Sequence, residues 1–461
     1  MFSLKTRAKS GPGIYALFFT IALIWTLSPV ACTQRQAEHS QNIPSPVGAN
    51  KPRQNIAGTD EAALVVPLNN RSYYPRVLTL IQQAQENIEI IMYQIRFYSA
   101  YPDSKSNTLI AALAQAQKRG VKVQILIESS DWNPENALAN KIAGHLLTRA
   151  GVSVRYDDPE VNSHNKLLII DGEIVVLGSS NWSYHSLDKN NETAVAIRST
   201  SVAKQYHEYF LDLFDASSEQ YPLLYPSVSA RQLPQQGVVT IEGIGHRITP
   251  SLYSAVEFSL VLDNNCTINF PSTITDELYT LLDDFPDCLI GKKLTLVVKI
   301  QRRERGMPHI TLLTLEQPSL TELVEKKIKQ LRLEVPEDDQ DFWHKASKAV
   351  SIILLNDEDY LPTIMEVFAE AQQSIKLIQI QSDYFIPGSR AKEPATNMLL
   401  NSLRAAVKRG VTVEFLTDYR HNEQFRREKK AFLHLLQSAG GFLMREILPP
   451  TVSWSLLMGD C

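Results

Sequence analysis

Between His164 and Trp182 the chain gathers, in a short stretch, residue types that could act on an anionic centre: His164, Lys166, Asp171, Ser179 and Asn181. The order is His164-Asn165-Lys166, the apolar run Leu167 to Ile170, Asp171-Gly172, a second apolar run from Ile174 to Leu177, and Gly178-Ser179-Ser180-Asn181. Two apolar runs around an Asp-Gly pair predict a β-hairpin closed by a tight turn. Side chains alternate along a strand, so His164 and Lys166 point to one face and place an imidazole beside an ammonium at the mouth of a sheet. Gly178 gives the chain freedom to turn, which brings the Asn181 amide back beside Lys166. Such an imidazole can serve as nucleophile while the ammonium and the amide steady negative charge.

The pattern resembles the HxKxxxxD signature of the phospholipase D superfamily, with GSxN following after six residues, and each specified position is filled here. From average residue usage a chance match in a chain this long is on the order of one in a hundred thousand, which sets coincidence aside. The resemblance implies chemistry on a phosphodiester. His164 is then the nucleophile that forms a covalent phosphohistidine, and Lys166 and Asn181 donate to the phosphoryl oxygens. Glu192, in Asn190-Asn191-Glu192, occupies the position of the carboxylate that holds the other imidazole nitrogen in the family. Ser179 adds a hydrogen bond near the phosphate or the histidine. Asp171, at the hairpin turn, orders the backbone of the motif rather than touching substrate. The scheme needs no metal and no cofactor.

The elements that must position these residues are repeated. Ala84-Gln85-Glu86-Asn87-Ile88 returns as Ala371-Gln372-Gln373-Ser374-Ile375, and Lys118-Arg119-Gly120-Val121 as Lys408-Arg409-Gly410-Val411. Leu146-Leu147-Thr148-Arg149-Ala150-Gly151 matches Leu435-Leu436-Gln437-Ser438-Ala439-Gly440 at nearly the same offset, so the matches describe one duplication. Each copy alternates apolar β-branched runs with helical periodicity, the mark of parallel βαβ units. The glycine of each Lys-Arg-Gly ends a helix whose last turn carries cations that suit its dipole. The fold class is thus α/β: a phospholipase D-like α-β-α sandwich repeat over residues 61–225, a small all-β module of OB-like pattern over 235–318, a helical linker over 319–345 and a partial second repeat over 346–461. The β module reads first as a spacer, because its strand pattern alone carries no site. Cys266 and Cys288 fall within it, and sequence leaves open whether they pair.

The second repeat lacks the motif. The duplication would place a second HxK near residue 453, where Thr451-Val452-Ser453-Trp454-Ser455-Leu456 stands. An in-line displacement needs an acid on the side of phosphorus opposite the nucleophile, and the family supplies it by pairing two motif copies. Either two chains form a homodimer that brings two His164 copies together, or the C-terminus is an interrupted reading of a longer, two-motif chain. The partial repeat should occupy the surface a partner would use, which favours interruption. His421, with Glu423 where a motif lysine would stand, reads as a structural histidine, and the basic cluster at Arg426, Arg427, Lys429 and Lys430 as the solvated side of a helix.

Length and charge bound the rest. The chain has 461 residues, enough for two or three domains, and a formal net charge of −4, which argues against a dedicated nucleic-acid binder. Lys5, Arg7 and Lys9 precede an apolar run from Ile14 to Leu27, and Pro29-Val30-Ala31-Cys32 closes it. Residues 1–32 thus resemble a signal peptide of bacterial lipoprotein type with Cys32 as the lipidated residue, although Pro29 stands where such signals place an aliphatic. Residues 33–60 read as a flexible linker, and the expected location is the bacterial cell envelope. Phospholipid is the leading substrate for an enzyme tethered to a membrane, by hydrolysis or by transfer to an alcohol. A non-specific nuclease of the same superfamily and an inactive remnant are the alternatives.

Overall fold

The computed structural model describes residues 63–222, 225–229, 232–250, 256–282, 284–301, 308–316, 326, 342–349, 352, 354–379, 395–418 and 442–447. Cys32, the signal and linker segments, most of the helical linker, His421, the basic cluster after it and residues 451–456 lie outside these. The chain divides into two compact units, one ending at Ile352 and the other beginning at Ile353.

In the first unit the strands are β1 (Ala63–Pro67), β2 (Asn87–Met92), β3 (Lys122–Ile127), β4 (Ser153–Tyr156), β5 (Lys166–Ile170), β6 (Ile174–Gly178) and β7 (Ala194–Arg198). Helices α1 (Tyr73–Gln83), α2 (Lys105–Arg119), α3 (Pro134–Arg149) and α4 (Thr200–Ala216) connect or follow them. The strands join, with β13 (Ser347–Ala349), into one sheet of order β13-β1-β7-β6-β5-β2-β3-β4, in which β2, β3 and β4 run parallel. β2 is buried on both faces, so its apolar run is nearly continuous. Ile88, Ile90 and Met92 face a core shared with Leu78 and Ile81 of α1, Leu109 and Leu113 of α2 and Leu147 of α3. The next residue along, Glu89, faces the other way and accepts from His207 of α4 at 2.9 Å. That helix buries Val202, Ala203, Tyr206, Phe210 and Phe214, an apolar stripe at helical spacing. Helices therefore cover both sides of the sheet, the α-β-α sandwich expected.

The Ser347–Ala349 strand corrects the expected boundary. The sequence assigns residue 346 onward to the second repeat, yet Ala349, Lys348 and Ser347 pair antiparallel with Ala63, Leu64 and Val65 of β1. Phe342, just before it, is buried in the core of the first unit. A strand edge left bare by β1 is the reason this segment adds here.

The all-β module is a closed five-stranded barrel of β8 (Gln236–Pro250), β9 (Val256–Leu262), β10 (Thr267–Pro271), β11 (Lys293–Gln301) and β12 (His309–Glu316), with α5 (Ser272–Leu281) between β10 and β11. The ring order β10-β12-β11-β8-β9, with β10 and β12 parallel, is that of an OB barrel. Inward residues such as Ile241, Leu260, Ile268, Phe270, Leu296, Val298 and Leu312 fill it. Strand β10 and helix α5 are the elements the sequence pattern missed. Cys266 and Cys288 are not joined in a disulfide.

In the second unit α6 (Tyr360–Glu370) and α7 (Ala395–Lys408) accompany a parallel sheet of β14 (Ser374–Gln379), β15 (Thr412–Asp418) and β16 (Phe442–Ile447). The duplication is visible in its hydrogen bonds. Arg119 Nη2 donates to Ile81 O at 3.0 Å, and Arg409 Nη2 donates to Phe368 O at 2.7 Å. Gly120 and Gly410 both adopt the left-handed conformation, at φ 97° and 91°, as the helix-ending role requires. Among the described residues no helix is long and apolar enough to cross a membrane.

Candidate active site

Strand direction gathers the site before any side chain is considered. The parallel strands β2, β3 and β4 end at the edge where antiparallel β5 begins, and β6 ends and β7 begins there too. Tyr93, Glu128 and Asp157 directly follow β2, β3 and β4, while His164, Ser179 and Glu192 flank β5, β6 and β7. Open α/β sheets place ligands at this edge.

The hairpin forms as its sequence requires. Asp171 and Gly172 both have positive φ, 52° and 60°, and Glu173 N–H bonds to Ile170 O at 3.1 Å, which makes a type I′ turn. The Asp171 carboxylate also accepts N–H bonds from Gln85, Glu86 and Asn87 at 2.8 to 3.2 Å. It ties the loop between α1 and β2 to the hairpin, at the end of β5 opposite His164. Its task is backbone order.

His164 and Lys166 meet across Tyr93. The rings of His164 and Tyr93 lie 4.5 Å apart, and Lys166 Nζ sits 4.5 Å from the centre of the same tyrosine ring. Lys166 is buried and donates to His164 O at 2.8 Å. Desolvation pushes its pKa down to about 7, against the pull of Glu192 and Glu128, which favour the ammonium. At His164 desolvation by the surrounding protein, then the charge of Lys166, lowers the pKa to about 4, although part of the ring stays open to solvent. The imidazole is therefore a free base at neutral pH.

Glu192 differs from its expected role. It is buried, and its carboxylate accepts from Ser179 Oγ at 2.5 Å and Asn190 Nδ2 at 3.1 Å. Among the described residues no hydrogen bond joins it to the His164 ring. The cause is the close pairing of β6 with β7: Thr193 N–H donates to Ser179 Oγ at 3.0 Å, which aims the hydroxyl proton at Glu192. Gly178 also has a different reason from the one expected. It ends β6 opposite Ala194, outside the left-handed region, and a Cβ there would lie 2.3 Å from Thr193 O and 2.6 Å from Ala194 Cα. The glycine permits close approach of two strands rather than a turn.

Asn181 is half-buried, with Oδ1 lacking a hydrogen-bond partner among the described residues; the neighbouring Ser180 Oγ also lacks one. The turn that carries them is pinned by Trp182, whose N–H bonds to Gln94 O at 2.9 Å and whose fully buried indole donates to Tyr73 Oη at 3.2 Å. The expected contact between Asn181 and Lys166 is not among the hydrogen bonds of the described residues.

Tyr93, Glu128 and an asparagine ladder are the site components the sequence reading missed. Glu128 is buried beneath the site, accepts from Ser130 N–H, Ser130 Oγ and Asn136 Nδ2, and its pKa is raised, chiefly by burial. A signal existed for two of them: Tyr93 and Glu128 each directly follow a parallel strand at its C-terminal end, where sites form.

A family profile described as "Cardiolipin synthase, PLD-like domain" matches residues 77–214, from α1 to the end of α4. Residues 77–214 are thus a phospholipase D-like domain. The chain is similar to a mitochondrial cardiolipin hydrolase of Xenopus laevis, 27% identical over 31% of this chain and 62% of that protein. It is also similar to a phospholipase D of Rickettsia felis, 33% identical over 29% of this chain and 59% of that one. Among solved structures, the phospholipase D family member Nuc from Salmonella typhimurium aligns at 26% identity with a TM-score of 0.28, covering 34% of this chain and 97% of that one. The chain spans about three-fifths of the length of the curated relatives it matches, 62% and 59%. The matched phospholipase D repeat contains His164, Lys166, Asp171, Ser179, Asn181 and Glu192.

Proposed function

We propose that this protein is a phospholipase D-type phosphodiesterase that hydrolyses, or transfers to an alcohol, the phosphatidyl group of phospholipids. The observation that carries the reading is the pairing of a neutral His164 imidazole with the Lys166 ammonium on one tyrosine ring. One imidazole nitrogen attacks phosphorus; a P–N bond forms as the bond to the leaving alcohol oxygen breaks. Lys166 and the Asn181 amide receive the charge that builds on the phosphoryl oxygens. Water then attacks from the side the leaving group vacated, gives up a proton and releases His164; an alcohol in place of water makes the step a transfer.

The leaving alkoxide needs a proton from the far side of phosphorus. We propose that a second copy of the motif supplies it, a second His164 brought in by a homodimer being one source. Export, anchoring through Cys32 and action at the cell envelope are part of the same proposal and rest on the signal-like residues 1–32. Names of the relatives favour lipid as substrate class, and the proposal follows them.

The test is purified protein with labelled phosphatidylcholine and with DNA, each beside His164→Ala. Release or exchange of the lipid headgroup by the wild type only is the expected result. Cleavage of DNA instead makes the protein a nuclease, and activity unchanged in His164→Ala refutes the assignment of the nucleophile.

A further inference from the structure

We propose that Tyr93 is the positioning residue that sets the Lys166 ammonium against the His164 imidazole, and that an asparagine ladder on α3 exists to hold it there. The proposal rests on the phosphodiesterase reading for its activity test, and on the geometry alone for its second test.

Tyr93 is constrained on every side that the fold offers. Its N–H donates to Asn165 O at 2.8 Å, in the middle of the His164-Asn165-Lys166 triplet. Its carbonyl accepts from Asn136 Nδ2 at 2.9 Å and from Asn140 Nδ2 at 2.8 Å. The side chain of Asn133, the N-cap of α3, lies near enough to the Tyr93 hydroxyl to pull the phenol's pKa down against the upward push of burial. Residues 133, 136 and 140 fall on one face of the helix, which explains how three asparagines reach one tyrosine. The ladder is itself locked: Asn136 Nδ2 donates to Glu128 Oε2 at 3.1 Å, Asn140 Nδ2 to Glu128 O at 2.8 Å, and Ile95 N–H to Asn140 Oδ1 at 2.8 Å. Asn136 and Asn140 are buried, and both direct their amide N–H groups to the Tyr93 carbonyl and to Glu128, while Asn136 Oδ1 has no hydrogen-bond partner among the described residues.

The held ring then makes two contacts. One is with Lys166 Nζ at 4.5 Å from its centre, a cation–π distance, and the other is with the His164 ring at 4.5 Å and 54°. A buried ammonium loses hydration, and an aromatic face returns part of that stabilisation without neutralising the charge, as a carboxylate contact would. The same ring excludes water from one side of His164, which favours the free base. Tyr93 thus acts through its neighbours and needs no contact with substrate.

The test compares Tyr93→Phe with Tyr93→Leu. Phenylalanine keeps the ring, so kcat stays within about threefold of the wild type. Leucine removes it, and kcat falls about 10- to 30-fold with KM little changed, while the alkaline limb of the pH profile moves about one unit toward acid. Independently of activity, NMR titration of the His164 ring should show its pKa rising from about 4 toward the ordinary imidazole value in Tyr93→Leu and not in Tyr93→Phe. If leucine leaves both the limb and the titration in place, or if phenylalanine shifts them as far as leucine does, the proposal is wrong. Should the wild type turn over no phosphodiester, the functional reading fails by itself and the titration still decides the role of Tyr93.

Discussion

The depressed values at Lys166 and His164 make the pH dependence of kcat/KM a quantitative prediction. His164 acts as a free base, so activity is lost as pH falls through about 4. Lys166 acts as an ammonium, so activity is lost as pH rises through about 7. Midway, near pH 5.5, each group is about 97% in its working form; at pH 8 only about one-tenth of Lys166 is charged, and the rate should be down about tenfold with unit slope beyond. An unperturbed lysine would put that loss above pH 10. The assay is initial-rate kcat/KM on bis(p-nitrophenyl) phosphate across a buffer series of constant ionic strength. Its aryl leaving group departs without an acid, which isolates the single motif. Lys166→Arg supplies the control: guanidinium stays charged throughout, so the alkaline limb should vanish even where the rate itself is lower. A wild-type rate still rising at pH 8, or a limb near 7 that survives in Lys166→Arg, refutes the reasoning.

Two further outcomes follow from the site's supports. Gly178→Ala forces a Cβ to within 2.3 Å of Thr193 O, so β6 and β7 must separate; a fall in melting temperature together with loss of turnover is expected, and a variant with wild-type stability would show the strands have room. Asp171→Ala removes the acceptor of three backbone N–H groups and puts alanine at φ 52°, for a loss of about 2–3 kcal/mol in urea unfolding, whereas Asp171→Asn should lose about 1 kcal/mol. Neither Asp171 variant should change kcat of the folded fraction, and a selective kcat loss would mean the residue touches the chemistry.

What was legible in the sequence is what depends on local pattern. The Asp171-Gly172 turn, the shared face of His164 and Lys166 and the helix-ending Gly120 and Gly410 all follow from residue type and neighbour spacing, and each forms as read. The barrel was legible as an alternation of short strands, save β10, whose five residues, Thr267–Pro271, give too short a period to recognise. The rest depends on which segments meet. Tyr93, Glu128 and the α3 asparagines come from three separate segments; the rule that sites form at the C-terminal ends of parallel strands points to the first two, and no local pattern points to the asparagines. Glu192 was found but its partner was not, because a carboxylate within reach of several donors bonds the one the strand pairing presents, here Ser179. Gly178 shows the same limit: sequence flags the glycine, and only the approach of Thr193 and Ala194 reveals what it makes room for.

The central claim is that His164 attacks phosphorus, and trapping the covalent intermediate tests it most directly. Protein mixed with a phosphodiester, quenched in alkali where phosphohistidine survives and mapped by peptide mass spectrometry, should carry the phosphoryl adduct on the peptide containing His164. The adduct should be absent from His164→Ala. Turnover with no adduct, or with the adduct on another residue, would contradict the account.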